Sequence, residues 1–454
     1  MNLKDKKVTV IGTGVSGMGA VSLLHDAGAC ITLYDGNNKL DIKKICGKLP
    51  DCIRKDDISI VIGDMPQSVV DKTDLLVISP GVPSDSDTVG LFEDRGIPVW
   101  GEIELAYNFE KGTVYAITGT NGKTTTTTLV GEIMKAYNPE TFVVGNIGTS
   151  YTGEVLKTTP SSVTVAEISS FQLETIHDFR PYGCAVLNIT PDHLDRHHTM
   201  DNYIKVKESV TRNQNGEGFC VLNYDDEELR RFGETIDNAI YFSRKIKPTR
   251  GAYLKHGIIR YTDGKEDYEV INVKDMKIFG NHNYENVMAA VAMTVNAGVP
   301  LDIIVRTIKE FKGVEHRIEF VREYKGVAYY NDSKGTNPDS SIKAVESMSR
   351  PTIIIAGGYD KHLEFDDFIE SFGDRIKLMV LMGATADQIE KTALSHGFTN
   401  TVRVGSLKEA VSVCADNARE GDAVLLSPAC ASWDMFSDYE ERGRLFKEYV
   451  NDLK

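Results

Sequence analysis

Short apolar runs punctuate this chain, and most of them stop at glycine, a hydroxyl or an acidic residue. Val8-Thr-Val-Ile11, Ile31-Thr-Leu-Tyr34, Leu75-Leu-Val-Ile78, Val114-Tyr-Ala-Ile117, Val163-Thr-Val-Ala166 and Ala185-Val-Leu187 are too short for helices and read as strands. Tyr329-Tyr330, Ile353-Ile-Ile-Ala356, Leu378-Met-Val-Leu381 and Ala423-Val-Leu-Leu426 continue the pattern to the C-terminus. Helical stretches are expected after Gly122, over Tyr203–Val210 and from Asn283 into an Ala-rich segment. Strands alternating with helices predict an α/β protein built on parallel sheets. A chain of 454 residues exceeds one ordinary core and suggests about three domains. The expected divisions are 1–101, 102–313 and 314–454. The first and last are expected to be Rossmann-like, and the middle one a P-loop NTPase-like mononucleotide-binding sheet.

Chemistry concentrates where those strands end. Thr118-Gly-Thr-Asn-Gly122 follows one strand and leads through Lys123-Thr124-Thr125 into a helix. Backbone N–H groups at a helix start, a lysine charge and a hydroxyl for Mg²⁺ make a phosphate cradle. The strict P-loop spacing fails, because Ile117 stands where a glycine belongs and Gly119 supplies the turn instead. Gly12-Thr-Gly14-Val-Ser-Gly17 also follows a strand, and Asp35 ends the next one, which taken alone suggests a dinucleotide site. Glu167 closes another strand, where a carboxylate faces the ligand crevice. Asp192-His193-Leu-Asp-Arg-His197-His198 invites a zinc reading. However, Leu194 replaces the glutamate of H-E-x-x-H, which argues against zinc. Lys207 reads as a solvated helix lysine, and Cys430, among alanines, as packing.

Bulk properties narrow the classes. A net charge of −15 excludes a general nucleic-acid binder. The seven cysteines form no C-x-x-C pair and suit a reducing cytoplasm. No apolar run reaches the ~18 residues of a membrane span.

Thr118-Gly-Thr-Asn-Gly-Lys-Thr-Thr125 resembles the nucleotide loop of the Mur ligase family, ATP-dependent amide-forming enzymes of peptidoglycan precursor synthesis. Ser79-Pro-Gly81, Gly101-Glu-Ile-Glu104, Asp192-His-Leu-Asp195, His282-Asn-x-x-Asn286, Gly313-Val-Glu-His-Arg317, Asp332-Ser-Lys334 and Ser427-Pro-Ala-Cys-Ala-Ser432 extend the likeness to the whole chain, toward the D-glutamate-adding branch. The resemblance implies ATP, two Mg²⁺ sites, and UDP-N-acetylmuramoyl-L-alanine and D-glutamate as substrates. It implies catalytic roles for Lys123, Glu167, His193 and Lys207, the last as a carbamate. Metal ligands would be Thr124, Glu167, His193 and carbamylated Lys207. His197 and His198 lie outside the Asp192-His-Leu-Asp195 motif, which implies that they are solvated. ATP would meet Gly119, Thr120, Asn121, Gly122, Lys123, Thr124, Thr125, Asn283, Asn286, Arg317, Asp332 and Lys334, with Asp332 on the ribose. The UDP substrate would meet Val15, Ser16, Asp35, Ser79, Asn146 and Ser169. Gly36-Asn37 departs from the Thr-Arg common in relatives. D-Glutamate would meet Thr336, Lys361, Ser432 and Tyr439. Trp433 stands where relatives often carry Leu. A monomer is expected. Two other classes stay open: an NAD-dependent dehydrogenase and an ATPase-type switch.

Overall fold

The computed structural model describes residues 2–49, 53–54, 57–147, 149–361 and 363–454, with the Asp195 side chain also outside the description. Three sheets carry the architecture, as the strand–helix alternation predicts. The first has five parallel strands: Ile58–Ile62, Cys30–Asp35, Lys7–Ile11, Leu75–Ile78 and Val99–Gly101, in that spatial order. Strand order reverses between Lys7–Ile11 and Leu75–Ile78. Such a reversal opens a crevice at the carboxyl ends of the strands, and the first glycine loop and Ser79 stand at those ends.

The second sheet has nine strands, with Thr113–Thr118 between Val163–Glu167 and Gly183–Val186. Those strands are buried nearly throughout, which explains their unbroken apolar runs. Thr141–Gly145 lies outside Val163–Glu167. Phe219–Asn223, Ala239–Ser243 and Gly251–Lys255 extend the parallel sheet on the other side. Ile258–Thr262 and Asp267–Asn272 then add antiparallel strands. The apolar pattern did not announce these last strands, because Asp267–Asn272 is half polar and exposed along its first three residues. His256 and Gly257, both at positive φ (52° and 74°), make the tight turn of the hairpin.

The third sheet has six strands, in the order Glu319–Tyr324, Val327–Asn331, Ala423–Leu426, Thr352–Ala356, Ile376–Leu381 and Thr401–Arg403. Four of them are the expected apolar runs. The two edge strands escape the pattern, since Glu319–Tyr324 is largely charged and Thr401–Arg403 is three residues long. The chain divides into two compact units. One comprises Met1–Val273 with Glu285–Lys309, and the other Lys274–Tyr284 with Glu310–Lys454. The first two sheets share the first unit. No helix of the described residues is long and apolar enough to cross a membrane.

Within the first unit, helix Glu102–Tyr107 joins the first sheet to the second through two buried carboxylates. Glu104 accepts the backbone N–H groups of His177 (2.8 Å), Asp178 (2.8 Å) and Phe179 (3.1 Å). Glu102 accepts from Thr152 and Gln172, and burial pushes its carboxyl above the usual range. Glu104→Ala leaves these amides without their anionic acceptor and should cost roughly 2 kcal/mol or more of stability. Urea denaturation checks this, and an unchanged midpoint would show that the junction does not depend on Glu104.

Candidate active site

Strand Thr113–Thr118 delivers the chain to Gly119–Gly122 and on into helix Lys123–Tyr137, at the carboxyl edge of the parallel sheet. Gly122 sits at φ +85° as the helix N-cap, and a Cβ there would collide with the Asn286 Oδ1. Gly119 sits at φ +144°, and its missing Cβ leaves room for Leu187. Both glycines are therefore demanded by conformation and by close approach.

Asn188, just beyond strand Gly183–Val186, clamps the loop. Its Oδ1 accepts Asn121 N–H at 2.8 Å, its Nδ2 donates to Asn121 O at 3.0 Å, and its own carbonyl accepts Thr120 N–H at 2.9 Å. The Thr120 hydroxyl meets the buried Tyr203 hydroxyl at 3.0 Å and accepts Thr190 N–H at 3.0 Å. Lys123 Nζ folds over the loop and donates to the carbonyls of Gly119 and Thr120, each at 2.8 Å. Thr124 and Thr125 open the helix, with Thr125 buried.

Lys207 reaches the same loop. Its ammonium donates to Gly119 O at 2.9 Å and lies 4.6 Å from the Tyr203 ring centroid. The residue is 1% exposed, which corrects the solvated-helix reading of the bare sequence. Burial first, and then the Lys123 charge, hold its pKa well below the ordinary lysine value. Lys205, two residues earlier on the helix, is exposed.

Glu167 ends strand Val163–Glu167 and is 2% exposed. Its Oε1 accepts from Asn146 Nδ2 at 3.1 Å, and its Oε2 has no hydrogen-bond partner among the described residues. A buried carboxylate oxygen without a partner is costly in itself and fits a cation ligand. His193, at φ +52°, is half exposed beside Asp192, with Nε2 3.5 Å from Asp192 Oδ2.

His197 is not solvated as expected. It is 4% exposed, stacks on Phe171, and sits between Ser170 Oγ (3.0 Å) and Glu174 Oε1 (3.4 Å). Burial lowers its pKa. Leu194–His197 forms one helical turn that turns His197 inward while His198 stays exposed beside Asp85. Glu174 also binds Arg196 (2.6 Å) and Ser84 (2.9 Å), tying this segment to the first sheet's loops. Among the described residues His193 and His197 belong to no cluster of three metal-ligating side chains. The single such cluster, Glu315–His316–Glu319, has the Lys447 ammonium bridging its carboxylates.

The first-sheet residues gather at the crevice. Val15 is 75% exposed at the start of helix Val15–Asp26, and Ser16 is half-buried. Ser79 Oγ is buried without a partner among the described residues, 2.6 Å from where a Gly12 Cβ would stand. Asp35 accepts from Thr13 Oγ1 at 2.7 Å and from Asn37 N–H at 3.0 Å, so it braces the loop. Ser169 spends its hydroxyl on a capping box with Gln172.

In the second unit, Asp332 is fully enclosed. It accepts from Ser427 Oγ at 2.7 Å and lies 3.8 Å from Arg317, and burial pushes its carboxyl up to about 6. Thr336 and Lys334 are half-buried on the loop after strand Val327–Asn331, with Lys334 Nζ 5.7 Å from the Tyr439 ring centroid. Asn283 donates to Phe279 O at 2.8 Å. In the first unit Asn286 accepts from Thr126 at 3.3 Å. Ser432 is 2% exposed, and Lys361 is exposed over Trp433. Cys430 is buried with its thiol pushed up to about 11, in keeping with packing rather than nucleophilic use.

Arg442 went unread in the sequence. It is fully buried in helix Tyr439–Asn451, donates to the carbonyls of Ser333 (2.8 Å) and Cys430 (3.2 Å), and so joins two loops that carry candidate residues. Asn188 and Tyr203 went unread as well. A polar residue at a strand end was the only signal for Asn188.

Strand, glycine loop, Lys-Thr and helix at the carboxyl edge of a parallel sheet define a mononucleotide-binding enzyme. Residues 6–101 match the Mur ligase MurD-like N-terminal domain, 117–294 the Mur ligase middle domain, and 316–430 the Mur ligase, glutamate ligase domain. The chain belongs to the Mur ligase family. It is 58% identical over 454 residues, the whole of both chains, to the UDP-N-acetylmuramoylalanine--D-glutamate ligase of Lachnospira eligens. It is 51% identical over 455 residues, again the whole of both chains, to the ligase of the same name from Lachnoclostridium phytofermentans. Among solved structures, UDP-N-acetylmuramate-alanine ligase MurC from Thermotoga maritima shares the fold, with a TM-score of 0.62, 20% identity, and coverage of 99% of this chain and 100% of that one. MurF ligase from Thermotoga maritima in complex with ADP has a TM-score of 0.60 and 17% identity, covering 99% of this chain and 96% of that one. This full-length match sets aside the dinucleotide reading of the first loop.

The clamp makes a prediction. Asn188→Ala removes two side-chain bonds to the loop and should weaken adenine-nucleotide binding about ten-fold, at ~0.5–1.5 kcal/mol per bond. Calorimetric titration checks it. Unchanged affinity would mean that the loop holds its shape without Asn188.

Proposed function

We propose that this chain is an ATP-dependent amide ligase that adds D-glutamate to UDP-N-acetylmuramoyl-L-alanine, in the cytoplasm, during peptidoglycan precursor synthesis. The observation that carries the reading is the end-to-end 58% identity to a relative of that name, with the three family domains matched in order.

A carboxylate is a poor acyl donor. The alanyl carboxylate oxygen attacks the γ-phosphorus, ADP leaves, and an acyl phosphate forms. The neutral D-glutamate amine then attacks the acyl carbon, and phosphate leaves as the nitrogen gives up a proton and the amide forms. Both substrates of the first step are anions, so the protein must place positive charge between them. Lys123 and the Gly119–Thr125 amides hold the phosphates, for which Lys123 must turn from the carbonyls it caps.

Thr124 and Glu167 would hold one Mg²⁺, and the orphaned Glu167 Oε2 supports that role. His193 and a carbamate on Lys207 would hold a second. The lowered Lys207 pKa supports carbamate formation, because only the neutral amine adds CO₂. Metal ions held by these residues would supply positive charge to offset that of the anionic substrates. Asn283, Asn286, Arg317, Asp332 and Lys334 serve ATP, with Asp332 on the ribose and paired with Arg317. Val15, Ser16, Ser79, Asn146 and Ser169 line the UDP-substrate side, with Asp35 as the brace of the first loop. Thr336, Lys361, Ser432 and Tyr439 serve D-glutamate.

The test is ADP release with UDP-N-acetylmuramoyl-L-alanine and a panel of amino acids. D-Glutamate should be strongly preferred, and ATP should not be hydrolysed without an amino acid. A preference for L-lysine, diaminopimelate or L-alanine would overturn the substrate, and amino-acid-independent hydrolysis would favour an ATPase switch. Lys361→Ala should raise the D-glutamate KM about ten-fold or more, since a charge-assisted bond is worth ~1.5–3 kcal/mol. The ATP KM should stay unchanged.

A further inference from the structure

Lys361 stands over one ring of an exposed aromatic pair. Its Nζ lies 5.0 Å from the Trp433 ring centroid. The Tyr359 ring meets Trp433 edge-on, with centroids 5.5 Å apart and planes at 60°. Trp433 is 62% exposed and Tyr359 43% exposed. Two large aromatics at the surface contribute little to a core, so their placement needs another reason.

The backbone beneath them is held firmly. Tyr359 N–H donates to Ala431 O at 2.9 Å, and the buried Arg442 guanidinium binds the Cys430 carbonyl at 3.2 Å. On the far side Asp434 accepts Ala384 N–H at 2.9 Å, and Ser432 O accepts Phe436 N–H at 2.9 Å. The indole thus projects from a fixed segment, while Lys361 is a flexible four-carbon stem on an exposed loop.

We propose that Trp433, backed by Tyr359, is a positioning residue that holds the Lys361 ammonium for a carboxylate of the incoming amino acid. This inference rests on the D-glutamate reading of the site. The indole face attracts the ammonium and restricts its rotamers before the substrate arrives, so less conformational freedom is lost on binding. The contribution belongs to amino-acid binding. It leaves the phosphoryl step untouched, since Trp433 acts through the Lys361 ammonium.

The test compares Trp433→Leu, which keeps apolar bulk but removes the π face, with Trp433→Phe, which restores it. In Trp433→Leu the D-glutamate KM should rise about three- to five-fold, the range of an exposed cation–π contact. Its kcat and the KM values for ATP and the UDP substrate should stay within about two-fold. Trp433→Phe should recover most of the loss. In a Lys361→Ala background Trp433→Leu should add nothing further, because the indole acts through the ammonium. An unchanged D-glutamate KM in Trp433→Leu overturns the proposal. So does a loss spread over all three substrates, or a full additional loss in the Lys361→Ala background. Failure of the wild type to use D-glutamate is a separate result that removes the underlying reading and this inference with it.

Discussion

The hold of the strand-end segment Leu187–Thr190 on the loop Gly119–Gly122 is the constraint on which the first unit depends. A loop of two glycines has wide conformational freedom, and a phosphate site needs one conformation. The freedom is removed from outside. Asn188 binds Asn121 on both sides of its peptide, Thr190 and Tyr203 fix the Thr120 hydroxyl, and Lys123 and Lys207 converge on the Gly119 carbonyl. Strands Thr113–Thr118 and Gly183–Val186 are hydrogen-bonded neighbours, so the clamp is built into the sheet's register. A shift of that register would move Asn188 away from the loop and break the site with the fold.

The same register explains where charge collects. Strand Val163–Glu167 flanks Thr113–Thr118 on its other side, which sets the Glu167 carboxylate at the sheet edge near the loop. A buried lysine, and a buried carboxylate with one oxygen unpartnered among the described residues, are unfavourable in a protein interior. Such an arrangement persists when the fold around it is stable enough to carry the strain, and it suits a site that binds anions and cations together. In the second unit, Arg442 plays the part that Asn188 plays in the first. Its guanidinium is fully buried and joins the loop after Val327–Asn331 to the segment after Ala423–Leu426, with its pKa lowered to about 10 by burial.

Much of the fold is legible in the amino-acid sequence. Apolar runs ending in glycine, a hydroxyl or an acid mark many of the central strands, because a parallel strand buried on both faces has no polar positions to hide it. The largely buried parallel strands Phe219–Asn223 and Ala239–Ser243 of the second sheet nonetheless went unread. Lys123, Glu167 and Ser79 can be placed because each stands at or just beyond the end of such a run. Edge strands such as Glu319–Tyr324 are not legible, since an edge needs no apolar alternation. Lys207 and His197 are misjudged from sequence alone for one physical reason. Their burial is imposed by neighbours distant in the chain, Gly119 and Glu174, and local polarity carries no trace of it. Arg442 hides likewise, as an arginine among charged residues on a helix whose inner face only the fold reveals.

The central claim is that the loop and its lysines bring a carboxylate against a γ-phosphate. It is tested most directly by oxygen tracing. UDP-N-acetylmuramoyl-L-alanine labelled with ¹⁸O in both carboxylate oxygens is turned over with ATP and D-glutamate, and the released phosphate is analysed by mass spectrometry. Direct phosphoryl transfer to the carboxylate predicts that each phosphate carries one labelled oxygen. Unlabelled phosphate, with the lost carboxylate oxygen appearing in water, would contradict it.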